Sequence, residues 1–272
     1  MEKLPFLVLV PTHHKSDEEI LSLCAFLHIE TDAVFSVQGV EAGERELEYE
    51  GHRILVARYP DIGVAKNRNH LLDHVGEGLY LCIDDDCVLD AGYESVVRSF
   101  FATHRCDAAL FNGYVPYEGN RKVHDLKTAR AKRFKDVSYA GGPGLAFLGE
   151  KMRGSGLRYD ERLGYPNDIY AGEDSLFLRD LCKSSLCFYR VETSLFVIAI
   201  DKQDNSAYFR GYDERFFLTK GAVGYLLYPR LSFLYSLHQA RRLHRQTGRK
   251  ITEVFLLLSK GRKAGKALRK KG

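Results

Sequence analysis

No Cys-x-x-Cys pair occurs in this 272-residue chain, although it holds six cysteines, at 24, 82, 87, 106, 182 and 187. That scatter argues against a zinc site or a disulfide framework and fits a reducing cytoplasm. Long apolar runs are missing too. None approaches the roughly 18 residues that span a bilayer, so the chain is expected not to cross a membrane. The N-terminal apolar run after Glu2 and Lys3 stops at Pro11 without a secretory cleavage signature, and it reads as a first strand. There is no internal repeat and no extended low-complexity segment. What is present, 45% apolar and 28% charged residues, describes an ordinary globular protein of one large domain, or one domain with an appendage.

The net charge of +4 conceals an asymmetry. Residues 241–272 hold twelve of the 40 basic residues and one of the 36 acids, Glu253. The remaining body carries 28 basic and 35 acidic residues and is slightly acidic. A basic tail on an acidic body points to an anionic partner for the tail. Nucleic acid is a poor candidate, because the tail lacks interleaved aromatic residues. Two readings stay open: a disordered solubilising extension, or attachment to an anionic membrane surface through residues 241–272, with apolar residues 254–258 dipping into the interface.

Strands and helices alternate along the first 90 residues. Strands are expected at Leu4–Val10, Ala33–Val37, Arg53–Tyr59 and from Leu79 into Asp84, with helices at Asp17–Leu27 and Gly63–His74. The acidic stretch from Glu41 to Glu50 reads as a loop. This alternation implies βαβ units and a mostly parallel sheet, whose ligands sit beyond the carboxyl ends of the strands. Pro11–His13, Val37–Gly39 and Asp84–Asp86 fall at those ends. Further on, a helix is expected at Ala91–Thr103, strands at Ala108–Val115 and 186–200, and a helix at Ser206–Leu227 broken at Gly211 and at Gly221–Gly224. Gly141-Gly142-Pro143-Gly144 precedes an apolar strand, and either lets backbone approach a ligand closely or makes a turn.

Asp84, Asp85 and Asp86 end the strand Leu79-Tyr-Leu-Cys-Ile. Side chains alternate along a strand, so Asp84 and Asp86 point one way and Asp85 the other. Carboxylates at the end of a buried strand repel one another and resist desolvation. A divalent cation offsets that repulsion, and magnesium or manganese is held for phosphate chemistry by such oxygen ligands, with water and substrate completing the shell. The plain alternative is a solvated acidic turn. Gly172-Glu173-Asp174 before an apolar run marks a helix start, where carboxylates favour the helix dipole whether or not they react.

Four pieces occur in a telling order: a strand ending in Pro11-Thr12, then Gly63-Val64-Ala65-Lys66-Asn67-Arg68-Asn69, then Ile83-Asp84-Asp85-Asp86, then Gly172-Glu173-Asp174. Together they resemble the family 2 glycosyltransferases. Gly63–Asn69 looks like that family's Gly-Leu-Ser-x-x-Arg-Asn helix start, the aspartates like its Asp-x-Asp metal site, and Glu173-Asp174 like its acceptor-side acid pair. Tyr159-Asp160-Glu161-Arg162-Leu163-Gly164 looks like its preceding loop. The resemblance covers residues 4 to about 225.

It implies an α/β GT-A (Rossmann-like) domain over 1–225, with a nucleotide-binding half at 1–90, an acceptor-binding half at 91–225, and a basic helical extension over 226–272. It also implies an inverting transfer from a nucleotide-sugar donor, expected to be a UDP-sugar, to a glycan or lipid-linked glycan hydroxyl in surface polysaccharide synthesis. Asp174 is then the base and Glu173 its neighbour. Asp84 and Asp86 would hold Mn²⁺ or Mg²⁺. Pro11, Thr12, His13, Gln38, Lys66, Arg68, Asp84 and Asp85 would contact the donor. The setting is cytoplasmic, peripheral at the inner face of the plasma membrane.

Two departures stand out. Val37-Gln38-Gly39 replaces the usual nucleoside-gripping acid, and Asp201 or Asp204 would stand in for a family histidine ligand, unless that ligand is absent. The rival enzyme, a nucleotidyltransferase, would carry a Gly/Arg/Lys-rich phosphate loop where His13-His14-Lys15-Ser16 stands. A catalytically dead sugar-binding module is the third reading.

Overall fold

The computed structural model describes residues 4–115, 121–122, 127–137, 141–199 and 211–270. The chain begins β1 (Phe6–His13), α1 (Asp17–Leu27), β2 (Asp32–Gln38), β3 (Gly43–Tyr49), β4 (His52–Tyr59), α2 (Val64–Asp73), β5 (Leu79–Cys82) and β6 (Cys87–Leu89). It continues α3 (Tyr93–His104), β7 (Ala108–Val115), β8 (Arg121–Lys122), β9 (Ala129–Arg130), β10 (Leu145–Leu148) and α4 (Gly149–Ser155). It closes α5 (Glu173–Lys183), β11 (Phe188–Ile198), α6 (Glu214–Leu227), α7 (Ser232–Thr247) and α8 (Ile251–Lys270).

One sheet runs in the order β3-β4-β2-β1-β5-β10-β7-β11-β6, with β8 on β7 and β9 on β11. β4, β2, β1 and β5 are parallel neighbours, β10 enters antiparallel between β5 and β7, and β7 and β11 are again parallel. Alternation along β1 divides its side chains between two cores. Phe6, Val8 and Val10 pack with α1 and α3 on one face, while Leu9 packs with residues of α2, α4 and α5 on the other. The expected mostly parallel sheet flanked by helices is present.

Three expectations change. The acidic stretch 41–50 is not a loop: β3 pairs antiparallel with β4 through a tight turn in which Glu50 and Gly51 both have positive φ. That geometry suits a two-residue hairpin, and its exposed glutamates protect a sheet edge from further pairing. The break at Gly221–Gly224 is absent, because α6 is continuous through both glycines. A Cβ on Gly221 would lie 2.1 Å from the Leu258 carbonyl oxygen, and one on Gly261 would lie 2.1 Å from that of Leu218. These glycines serve helix-to-helix contact instead of interruption. Finally, the apolar patch of the tail faces inward: Val254, Leu257 and Leu258 of α8 are buried in a cluster with Phe217, Ala240 and Leu243. These three apolar residues, expected at a membrane interface, are therefore interior.

Candidate active site

β5 ends opposite Leu9, while β1 continues to His13. The chain leaving β5 therefore crosses beside the carboxyl end of β1, and Asp84–Asp86 form the turn between β5 and β6, closed by the Cys87 N–H donating to the Asp84 carbonyl (3.1 Å). The expected strand alternation does not apply, because β5 ends at Cys82 and the three aspartates lie in a turn, each with a different neighbour. Asp84 faces α2, and Asp85 accepts a hydrogen bond from the Thr12 hydroxyl (2.6 Å). Asp86 lies against the Cys87 thiol (3.3 Å). Burial first, and the Asp84 charge second, push the Asp86 carboxyl up to about 6.

α2 supplies the centre. Its start is set by Gly63, whose φ of 158° lies outside the range most side chains tolerate, and whose N–H donates to the Gln38 side chain (2.7 Å). One turn in, Asn67, Arg68 and Asn69 are all buried. Buried polar groups need partners. Asn67 donates to the Thr12 carbonyl (2.9 Å), which ties α2 to β1. Asn69 donates to the Tyr159 carbonyl (3.0 Å) and to Glu161 (2.9 Å), and accepts from the Tyr159 N–H (2.8 Å), which anchors the 159–164 loop. Arg68 lies between them at 8% exposure. Its Nη1 donates to Asp174 (2.7 Å) and Glu173 (3.2 Å), and its Nη2 donates to Asp84 (3.1 Å). The guanidinium also sits 5.6 Å from the centre of the Tyr159 ring, which stacks on Phe177 of α5.

One cation thus joins the turn after β5 to the first turn of α5. Glu173 is 1% exposed. Burial pushes the Asp174 carboxyl up to about 7, against the pull of Arg68, and the charges of Glu173 and Asp84 add to the rise. The Gly141–Gly144 stretch belongs to this centre. A Cβ on Gly142 would lie 2.9 Å from Asp174 Oδ1 and 3.5 Å from the Arg68 guanidinium carbon, so the backbone comes as close to the ion pair as a glycine allows.

Pro11 lines a small crevice with Arg68 and Asp84, so Pro11, Thr12, Arg68, Asp84, Asp85, Glu173 and Asp174 converge. Lys66 turns away to Asp61 (3.9 Å), His13 is exposed, and the side-chain Oε1 of Gln38 accepts from the Gly63 N–H. Tyr139, Ala140, Asp201 and Asp204 lie outside the described residues. Asn67, Asn69, Tyr159 and Gly142 join the site as positioning groups. In the sequence Asn67 and Asn69 belonged to the Gly63–Asn69 helix start, Tyr159 to the 159–164 loop and Gly142 to the glycine-rich stretch, but none stood out there as a site residue. Among the described residues, no cluster of three or more His, Cys, Asp or Glu side chains is placed to hold a metal ion. The donor chemistry of Asp84 and Asp86 nonetheless fits a hard divalent ion: both are carboxylates, and the Asp84 charge adds to the burial that raises Asp86.

Comparison with known proteins places the fold. No family model matches the chain, and no curated protein matches its sequence. Solved structures of S. aureus TarS do match. Residues 1–349 of TarS superpose with a TM-score of 0.58 at 13% identity, over 96% of this chain and 92% of that one. The same TarS fragment in complex with UDP-GlcNAc gives 0.57 at 17% identity, over 93% of this chain and 75% of that one. Its complex with UDP gives 0.55 at 16%, over 93% and 74%. At these identities the likeness is one of fold: the chain shares its mixed α/β architecture, a central sheet flanked by helices, with TarS.

Proposed function

We propose that this protein is an inverting glycosyltransferase that moves a sugar from a nucleoside diphosphate donor, a UDP-sugar, to an acceptor hydroxyl. The observation that carries this reading is the buried Arg68 joining Asp84 to Glu173 and Asp174 at the carboxyl edge of a parallel sheet. Support comes from fold neighbours whose structures hold UDP-GlcNAc and UDP.

Asp174 is the base. It takes the proton of the acceptor hydroxyl while that oxygen attacks the anomeric carbon, and the bond to the diphosphate breaks on the opposite side. Burial suits it to the task, because a carboxyl raised towards neutrality is a better proton acceptor than an exposed one. Arg68 orients Asp174 and keeps negative charge tolerable beside Glu173. Gly142 lets the backbone close over that pair and narrows the room for water. Thr12 and Pro11 line the donor side. Asp84 and Asp86 would hold Mn²⁺ or Mg²⁺, which when bound supplies Lewis-acid stabilisation of the departing diphosphate.

The test is Asp174→Asn. Transfer should fall by at least about a hundredfold, with UDP binding retained; unchanged turnover rejects the base assignment. Thermal-shift screening of nucleotide-sugars with and without manganese addresses donor and metal together.

We also propose a lipid-linked glycan acceptor reached from the cytoplasmic face of a membrane. No helix among the described residues is long and apolar enough to cross one. The surface suited to an anionic membrane combines exposed Leu231, Phe233, Leu234 and Leu256 with the basic residues of α7 and α8. Flotation of the full chain with anionic vesicles should be lost when exposed Lys260, Lys263 and Lys266 are changed to Glu. Unchanged flotation removes the idea.

A further inference from the structure

Beside the start of α5, between that helix and the pair α6 and α7, lies a second concavity of about 600 Å³. Gly172 and Ser175 form one wall, so it opens within two residues of Asp174 but on the other flank of the helix start. Tyr170, Tyr228 and Tyr235 supply aromatic surface. Lys220 of α6 and Arg242 of α7 converge on it.

Three observations mark it as more than a crevice. First, neither Lys220 nor Arg242 has a carboxylate partner among the described residues; the neighbour recorded for Lys220 is the Phe216 ring, 5.8 Å from Nζ. Secondly, Lys220 is partly buried, and its pKa is lowered by that burial and by the Arg242 charge, so each cation raises the electrostatic cost of the other. Thirdly, Gln239 lines the same cavity at 8% exposure, and its buried Oε1 has no hydrogen-bond partner. Natural interiors rarely leave such an atom unmet without a role for it. At the rim, Asp213 and Arg215 act on Tyr170 with opposite signs, so the positive balance inside is not cancelled there.

We propose that this cavity is an acceptor subsite for an oxyanion. An acceptor carrying a phosphate or carboxylate places that group between Lys220 and Arg242, with a hydroxyl donating to Gln239 Oε1 and the sugar body against the tyrosines. The hydroxyl to be glycosylated then lies towards Asp174. The proposal rests on the transferase reading and narrows its acceptor to an anionic one.

The test uses the full chain saturated with UDP and follows binding of glucose 6-phosphate, glucuronic acid and glucose by NMR line broadening. At least one charged probe should bind tenfold or more tighter than glucose, and which one does so identifies the oxyanion. Lys220→Gln with Arg242→Gln should abolish that preference while leaving UDP affinity unchanged, and Lys220→Arg should retain it. Equal binding of all three probes, a preference that survives the double substitution, or displacement of the charged probe by excess UDP each overturns the proposal. If the wild-type chain does not bind UDP, the transferase reading fails, yet the probe comparison still reads the subsite.

Discussion

Two polar centres lie on either side of the α5 start, and they are unbalanced in opposite directions. Around Arg68, one guanidinium serves Asp84, Glu173 and Asp174, with Asp86 close by. Around Lys220 and Arg242, two cations share a cavity without a carboxylate among the described residues. Burying like charges together costs free energy, and that cost is recovered only when a ligand brings the opposite sign. In the proposed transferase the first centre would receive a cation and the developing positive charge of a sugar, and the second an anion. Two neighbouring imbalances of opposite sign suit a protein that brings two differently charged substrates to one point.

The comparison breaks most readily at Arg68. Arg68→Met leaves three carboxylates facing one another and should destabilise the fold by about 3–5 kcal/mol, read by urea denaturation. Stability within 1 kcal/mol of wild type would mean that the carboxylates protonate or rearrange at little cost. Next in size is Gly221→Val, whose side chain would meet the Leu258 carbonyl and should cost about 1–3 kcal/mol by separating α6 from α8.

Gly142→Ala tests the other side of the α5 start. Its Cβ would press on Asp174, so transfer should drop about tenfold or more through misplacement, with UDP binding retained. An unchanged rate would show that Asp174 tolerates the displacement.

The smallest effect is in pH. The folded carboxyl of Asp174 stands above its ordinary value of 3.8, at about 7, so its contribution to stability is full below pH 4 and is lost as pH rises towards 7. Transfer should run the other way and climb through pH 7 as the base ionises. A rate profile flat between pH 5 and 8 would remove the raised carboxyl from the mechanism.

Much of the first centre was legible in the chain. The capping box joining Ser16 and Glu19 starts α1 where expected, and apolar runs locate β1, β2, β4 and β5 within a few residues. β3 was missed because its alternating glutamates read as a solvated loop, although Glu50-Gly51 is a hairpin turn. The glycines of α6 misled for a physical reason: glycine weakens an isolated helix, yet it permits an approach that a packed one can use. Likewise 254–258 read as membrane-seeking because nothing local reveals that Phe217, Ala240 and Leu243 cover Val254, Leu257 and Leu258.

By itself the sequence determined β1, β2, β4, β5, α1 and α2, and that three aspartates follow a buried strand, because periodicity and turn chemistry act over a few residues. Only the tertiary structure decided that Arg68 meets Glu173, 105 residues away, and that Lys220 and Arg242 share a space from which carboxylates are missing among the described residues. Charge balance is a property of groups brought together by packing, and no window of sequence contains both members of either pairing.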